Sequence, residues 1–372
     1  MTGVDCACGG HDARGPGSLS RRSILTASMS AVVGGAILST SACSSAEPPK
    51  SAPTMPENAL VTLGVQAGPP PVPNKTGISS AVKIGGDVYQ IDCGLGSMNA
   101  FADAGFTFND LKSMFITHLH TDHIVDYYSF FLSGGYTAAP GKAPVTVYGP
   151  GPAGGLPPSQ VGDHDPATIE PGNPAPGLAA TSKALLQAYA YTSNIFIRDM
   201  GIDDIQDLIE VVEITVPPGS DYRNRSPKTA PFPVMSDDNV TVTATLVSHY
   251  DVYPAFGFRF DLKSGRSVTF SGDTTKSENL ITLAKDTDIL VHEAQYSLDD
   301  AYYHNRFPPN YLKSSHTSAE QVGEVAAAAN AKHVVLSHYS PTDLPDSQWL
   351  DAIAKNYSGK VTVARDGQVF EL

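Results

Sequence analysis

Five short apolar segments of this chain each lead directly into residues that can bind a metal ion or carry a proton. Those residues are the cluster from His118 to His123, and His249, Asp273, His292 and His338. Short β-rich segments that alternate with helical patterns favour an α/β fold. Because sites in open α/β sheets form beyond the carboxyl ends of the strands, the pattern predicts functional residues gathered along one sheet edge.

The densest group is His118-Leu119-His120-Thr121-Asp122-His123, which holds four metal-capable side chains in six residues. Imidazole and carboxylate ligands without a thiolate suit zinc, and iron and manganese are the alternatives. A polar surface turn that happens to contain three histidines is the other interpretation. The four further strand ends favour a metal site.

The amino end has the pattern of an export signal. Arg21 and Arg22 precede an apolar, small-residue stretch from Ala27 to Leu38, which is typical of a twin-arginine (Tat) signal. Small residues before Cys43 resemble a lipoprotein cleavage site, although Thr40 stands where such sites usually carry leucine. We therefore expect export across the cytoplasmic membrane to the cell envelope or periplasmic space, and a disordered amino tail is the alternative.

The chain is expected to divide into three parts. Residues 1–43 are the predicted signal peptide, and residues 44–58, rich in Ser, Ala and Pro, are a predicted flexible linker. Residues 59–372 form the predicted folded domain, with a loop and helix insertion at about 150–238. A lipid anchor on Cys43 is the one expected contact with a membrane, and an oligomer remains an open alternative.

The charge balance argues against polyanionic partners. The formal net charge is −14, from 38 acidic and 24 basic residues, so the field of the whole molecule repels large nucleic acids. A small anion can still bind next to a pair of metal ions. We expect a small-molecule ester substrate and no nucleic-acid partner.

The clearest predicted helix lies in the carboxyl third. It covers Thr317 to Ala331, and the pattern Thr317-x-x-Glu320 predicts a capping box at its start.

The motifs, in their order, resemble the metallo-β-lactamase superfamily and most closely its ribonuclease Z-like and arylsulfatase-like branch. The resemblance spans about Leu60 to Leu372. It is carried by Ile91-Asp92-Cys93-Gly94-Leu95-Gly96, the His118 to His123 cluster, Ser248-His249, Ser271-Gly272-Asp273-Thr274, Val291-His292-Glu293-Ala294, Ser315-His316-Thr317 and Leu336-Ser337-His338. It implies a four-layer αβ/βα sandwich with a dinuclear metal centre at one edge of the two sheets.

The resemblance also implies that seven residues share two Zn²⁺ ions, with Mn²⁺ or Fe²⁺ as alternatives. One ion would be held by His118, His120 and His249, the other by Asp122, His123 and His338, with Asp273 bridging the two.

Two residues would carry the chemistry. Asp122 would orient the attacking water as well as bind metal, and His316 would donate a proton to the leaving oxygen. Because His316 precedes a helix amino end, which disfavours a positive charge, we expect it to need a carboxylate partner such as Glu293.

These expectations describe an exported dinuclear zinc hydrolase of small phosphodiesters or aryl sulfate esters, which uses a metal-activated hydroxide. The first alternative is a β-lactam or lactone hydrolase of the same fold, and the bridging Asp273 disfavours a true β-lactamase but not a lactone hydrolase. The second is a non-catalytic metal-binding surface lipoprotein. The ribonuclease branch holds transfer RNA with a basic arm, and the inserts here lack dense basic residues, so we expect no transfer-RNA processing.

Overall fold

Two seven-stranded sheets frame the protein, which a computed structural model describes over residues 55–160, 165–304 and 308–372. In spatial order, the first sheet consists of β14 (Gln368–Glu371), β1 (Asn58–Gly64), β2 (Ser79–Ile84), β3 (Asp87–Ile91), β4 (Leu111–Phe115), β5 (Val145–Gly149) and β6 (Ile209–Glu213). The second consists of β13 (Lys360–Val363), β12 (His333–Ser340), β11 (Ile289–Gln295), β10 (Ser267–Phe270), β9 (Phe256–Leu262), β8 (Val240–Leu246) and β7 (Phe232–Ser236).

Helices connect these strands. They are α1 (Ser97–Asp103), α2 (Thr121–Ile124), α3 (Leu178–Ala188), α4 (Ala190–Ile195), α5 (Glu278–Leu283), α6 (Tyr311–Ser315), α7 (Ala319–Ala329) and α8 (Asp346–Ala354), with short π-helical turns at Phe130–Gly134 and Phe196–Met200 and 3₁₀ turns at Gly135–Thr137, Ile205–Leu208 and Asp300–Tyr303. Within the described residues, none of the helices has both the length and the apolar character needed to span a membrane.

Side chains on the two faces of the first sheet belong to two separate cores. On β4, Phe115 points to the core that both sheets share, where it packs edge-on against Phe258 and Phe260 of β9. Its neighbour Met114 points to the other core, between this sheet and its own helices. The alternation follows from the two-residue period of a strand, and it confirms the predicted four-layer αβ/βα sandwich.

Parallel strands bring the ends of distant segments to one edge. Strands β3 to β6 run parallel in the first sheet, and β10 to β13 run parallel in the second. Strand β8 has the same direction as β10, because each pairs antiparallel with β9. The residues that follow these strands are therefore neighbours in space although they are far apart in the sequence.

The predicted insertion over about 150–238 contains two strands of the sheets themselves. Strand β6 is at one edge of the first sheet, and β7 is at one edge of the second. The irregular part therefore divides into a long excursion before β6 and a shorter one before β7. The predicted signal peptide, and residues 44–54 of the predicted linker, lie outside the described residues.

The start of α7 differs from the predicted capping box by one residue. Ser318, not Thr317, is the cap: its hydroxyl accepts from the Gln321 amide while the Gln321 side chain accepts from the Ser318 amide. Thr317 is engaged elsewhere, since its amide donates to Glu293 Oε1 and its hydroxyl donates to the Thr274 carbonyl. The expected box with Glu320 is therefore wrong.

Candidate metal centre

All seven residues that were expected to bind metal lie together at the shared edge of the two sheets. They come from four places: the turn after β4 and helix α2, the turn after β8, the turn after β10, and the carboxyl end of β12. Six of them are buried (His118, Asp122, His123, His249, Asp273 and His338), and His120 is partly exposed.

Both groups that the resemblance implied are among the clusters of side chains that come together here. The ligand atoms of His118, His120 and His249 lie within 4.8 Å of one another, and so do those of Asp122, His123 and His338. In the first group His120 Nδ1 is 3.2 Å from His249 Nε2. In the second, His338 Nε2 is 3.2 Å from Asp122 Oδ2.

Asp273 lies between the groups and turns one carboxylate oxygen toward each. Its Oδ2 is 3.6 Å from His249 Nε2, and its Oδ1 is 3.5 Å from His123 Nε2. The turn that carries it needs glycine at Gly272, where φ is +58° and a Cβ would lie 2.4 Å from the Phe256 carbonyl oxygen. A carboxylate in this position can be shared by two cations.

Neighbouring groups fix the orientation of the imidazoles. His123 Nδ1 lies 2.8 Å from Asp92 Oδ2, and His249 Nδ1 donates to the Ser315 carbonyl at 2.8 Å. Both contacts leave Nε2 as the free ligand atom, which is how metal-binding histidines are commonly held. The Thr117 amide and hydroxyl also donate to Asp92, at 2.8 Å each.

The role of Asp92 was missed in the sequence. The available signal was its position directly after β3, the parallel neighbour of the strand that leads to the histidine cluster.

His316 lies at the border of the first group, next to His249. Its Nδ1 is 3.2 Å from Glu293 Oε1, so Glu293 is the carboxylate that the sequence called for. Burial opposes a charge on this imidazole, but Glu293, together with Asp273 and Asp122, outweighs burial and raises the pKa of His316. His292 makes a different contact, because its Nδ1 donates to the Glu293 carbonyl at 2.7 Å and its side chain is fully buried.

Comparisons with known proteins agree with this fold. A sequence model described as "Beta-lactamase superfamily domain" matches residues 191–339, and one described as "Anti-Pycsar protein Apyc1" matches residues 80–145. A protein named Ribonuclease Z from Mycobacterium avium (strain 104) is 28% identical over 319 residues, which cover 82% of this chain and 95% of that protein. Ribonuclease Z from Mycobacterium marinum (strain ATCC BAA-535 / M) is 26% identical over 312 residues, covering 82% and 96%.

Two solved structures share the fold. The metallo-beta-lactamase fold protein YhfI from Bacillus subtilis superposes with a TM-score of 0.57 at 15% identity, covering 84% of this chain and 99% of its own. Human tRNase Z, short form, superposes with a TM-score of 0.56 at 20% identity, covering 84% and 98%. The chain carries a β-lactamase superfamily domain over residues 191–339 and has the metallo-β-lactamase fold. It is a metal-dependent hydrolase of that fold.

In this metallo-β-lactamase domain, several buried ligand atoms make no hydrogen bond with any described residue. They are His118 Nε2, His123 Nε2, Asp273 Oδ1 and His338 Nδ1. An unsatisfied buried polar atom costs about 1–3 kcal/mol, so four in one place are expensive unless a ligand satisfies them. The donor set of nitrogen and carboxylate oxygen therefore fits a pair of divalent cations.

The electrostatics of the site also favour cations. Burial lowers the pKa of His249 to about 3 and holds the pKa of His118 well below its usual range, so both imidazoles are neutral and keep a lone pair. Burial opposes a charge on His123 as well, yet Asp273 and Asp92 outweigh it and raise its pKa. The negative field that would hold a proton on His123 would equally attract a metal ion.

Proposed function

We propose that this protein is an exported dinuclear zinc hydrolase of small phosphodiesters or aryl sulfate esters. The observation that carries the proposal is the pair of ligand groups, His118, His120 and His249 on one side and Asp122, His123 and His338 on the other, with Asp273 between them. We assign these residues as the ligands of two metal ions and Asp273 as the bridge.

The metal pair, when bound, supplies a water of lowered pKa and neutralises the charge that develops on the ester oxygens. Zinc suits imidazole and carboxylate donors, and manganese or iron would suit the same set. Side chains of the protein orient the water and supply the proton.

Asp122 is held in one orientation by two contacts. Its Oδ2 accepts from the Gly68 amide at 3.1 Å and faces His338 Nε2. Burial would raise the pKa of Asp122, but His123 and His338 outweigh burial and lower it, so the carboxylate is ionised. We assign it the task of orienting the attacking water.

His316 is assigned as the proton donor. Glu293 engages Nδ1, which leaves Nε2 to donate to the leaving alcohol oxygen. The raised pKa keeps a proton available near neutral pH, as a general acid requires. Ester cleavage then gives an alcohol and an acid without a charged alkoxide.

A polynucleotide substrate is disfavoured, although the relatives quoted above are named Ribonuclease Z. The net charge of −14 repels polyanions. Processing of RNA would also need the protein in the compartment where RNA is made, and Arg21 and Arg22 argue for export from it. We therefore keep the proposal to small esters.

The test is an activity panel on the metal-loaded protein. Bis(4-nitrophenyl) phosphate, 4-nitrophenyl sulfate and a chromogenic cephalosporin are assayed side by side, with metal per chain measured on the same preparation. Turnover of either of the first two that is lost on chelation supports the proposal. Turnover of the cephalosporin alone would establish the lactamase alternative, and two bound metals without any turnover would favour a non-catalytic metal-binding protein.

Export is tested separately in a bacterial host. Replacing both arginines of the pair (Arg21→Lys with Arg22→Lys) should retain the protein in the cytoplasm, while Arg14→Lys serves as the matched control. If Cys43 carries a lipid, Cys43→Ala should move the exported protein from the membrane fraction to the soluble envelope fraction. Unchanged export of the double variant would refute the twin-arginine assignment.

A further inference from the structure

A cavity of about 330 Å³ opens directly beside His120. Leu119 and Ile124, from the segment that carries the metal ligands, form one wall, and Leu156 belongs to the facing wall. The floor comes from the turn after His249, through Val252 and Tyr253. A volume of this size matches small-molecule sites, which range from roughly 300 to 1,000 Å³.

The facing wall is anchored at both of its ends. The Ala153 amide donates to the Ala175 carbonyl at 3.2 Å, and the Leu178 amide donates to the Pro150 carbonyl at 2.8 Å. These bonds close the excursion that follows β5 into a loop whose two ends run together. The wall is therefore tied to the same sheet edge as the metal centre.

The described residues that line the cavity carry no positive charge. They include neither lysine nor arginine, and the one carboxylate among them, Asp251, lies 3.2 Å from Arg225. The remaining walls are mostly aliphatic, proline and aromatic. Such a surface stabilises an uncharged apolar group and offers no favourable interaction to a second phosphate.

The cavity and the proposed proton donor His316 both lie near the His249 ring, the cavity through His120. The centroid of the His249 ring lies 4.9 Å from that of His120, which borders the cavity, and 5.1 Å from that of His316. A substrate whose leaving oxygen meets His316 can therefore place a second substituent in the cavity. A sulfate monoester has no second substituent, whereas a phosphodiester has one.

We propose that this cavity binds an uncharged apolar ester group, the one that is not released, and that the natural substrate is a small phosphodiester carrying such a group. The proposal rests on the proposed function and narrows it. Aryl and short alkyl groups fit the volume and the chemistry of the walls. A nucleotide chain does not, because its next phosphate would meet an apolar or acidic surface.

The experiment uses one leaving group and varies the other ester group. The substrates are 4-nitrophenyl methyl, ethyl, propyl and butyl phosphate, and kcat/KM is measured for each on the metal-loaded protein. Burial of each added methylene should raise kcat/KM roughly threefold to fourfold. Because the departing 4-nitrophenolate is the same throughout, a slope with chain length reports the pocket and not the chemistry.

Two variants locate the effect. Ala153→Phe fills the cavity, and Leu156→Ala removes apolar surface from its wall. The ratio of kcat/KM for the butyl ester to kcat/KM for the methyl ester should fall about tenfold in Ala153→Phe and about threefold in Leu156→Ala. The matched control for Ala153→Phe is Ala328→Phe, at an exposed position of α7. The matched control for Leu156→Ala is Leu350→Ala on α8, because the two leucines are similarly exposed, at 37% for Leu350 and 48% for Leu156. Neither control should change the ratio.

The outcomes separate the two proposals. Turnover of all esters with no dependence on chain length, or the same dependence in Ala153→Phe and Leu156→Ala, would overturn the cavity assignment and leave the hydrolase intact. Turnover of 4-nitrophenyl sulfate at rates equal to those of the butyl diester would also overturn it. No turnover of any ester would instead refute the proposed function itself.

Discussion

Asp273 is a single carboxylate between two groups of imidazoles, and it turns one oxygen toward each group. Burial would raise its pKa, but His338 and His123 outweigh burial and hold the pKa well below its usual range. Two cations a few ångström apart repel each other strongly, so a shared negative charge decides whether both can bind.

We therefore expect Asp273→Ala to lower metal content from about two ions per chain to about one, and to reduce kcat for phosphodiesters at least a hundredfold. Metal is measured by mass spectrometry on protein dialysed against the free ion. Asp351→Asn, at an exposed position of α8, is the control. Retention of two tightly held ions in Asp273→Ala would mean that Asp273 is not a bridging ligand.

A general acid matters most when the leaving group is poor. We expect His316→Ala to lower kcat by roughly 10² to 10⁴ for diesters that release phenol, and by far less for those that release 4-nitrophenol. The measurement is kcat against leaving-group pKa for the parent protein and the variant. Equal losses along the whole series would show that His316 acts by positioning and not by donating a proton.

At the scale of elements, the meeting of the proposed ligands that follow strands was predictable, and the walls of the cavity were not. Parallel strands that end at one edge place Asp273 and His338 together by topology, which an apolar run followed by a polar residue reveals in sequence. The cavity wall depends instead on how the excursion after β5 returns, through the bond between Leu178 and Pro150. Nothing periodic in a proline- and glycine-rich segment encodes that closure.

The one-residue error at the start of α7 has a similar origin. Thr317 and Ser318 can both cap a helix, and local sequence does not choose between them. A tertiary contact decides which residue is the cap, because Glu293 Oε1 accepts from the Thr317 amide in the folded protein.

Strands β10 and β11 are joined at their amino ends by Asp288, far along the strands from the metal centre. Its Oδ2 accepts from the Ser267 amide at 2.8 Å, and its Oδ1 lies 2.9 Å from Lys332 and 3.0 Å from Arg266. Burial would raise the pKa of Asp288, but the Lys332 ammonium and the Ser267 amide outweigh it and lower the pKa.

A lowered pKa in the folded state means that the ionised form stabilises the fold. This contribution is complete above the unfolded pKa of about 3.9 and is lost as pH falls through the lower, folded value. We expect Asp288→Asn to reduce the free energy of unfolding by about 1–3 kcal/mol from pH 5 to pH 8, and by progressively less below pH 4. Urea denaturation across this range measures the difference, and a deficit that is constant down to pH 3 would contradict the ionic explanation.

For the whole molecule, the net charge of −14 sets which partners can approach the metal centre. A protein that binds a nucleic acid through phosphate contacts releases counterions, and its affinity falls steeply as salt rises. Here the proposed metal pair is the one strong positive region we assign, and the described residues that line the cavity next to it include no lysine or arginine. Under the proposed function a small diester would use such a site, whereas a polyanion would meet repulsion over the rest of the surface.

We therefore expect precursor transfer RNA to bind no tighter than roughly 10⁻⁴ M at physiological salt, the weak end of non-specific affinities. It should also not be cleaved under conditions in which bis(4-nitrophenyl) phosphate is turned over. Fluorescence anisotropy of a labelled RNA measures binding, and gel analysis of the same mixture measures cleavage. Ribonuclease Z from Mycobacterium avium, 28% identical to this chain, is the positive control. Submicromolar binding with cleavage by this protein would show that local positive potential at the metal centre overcomes the global charge, and that the substrate class is RNA and not a small ester.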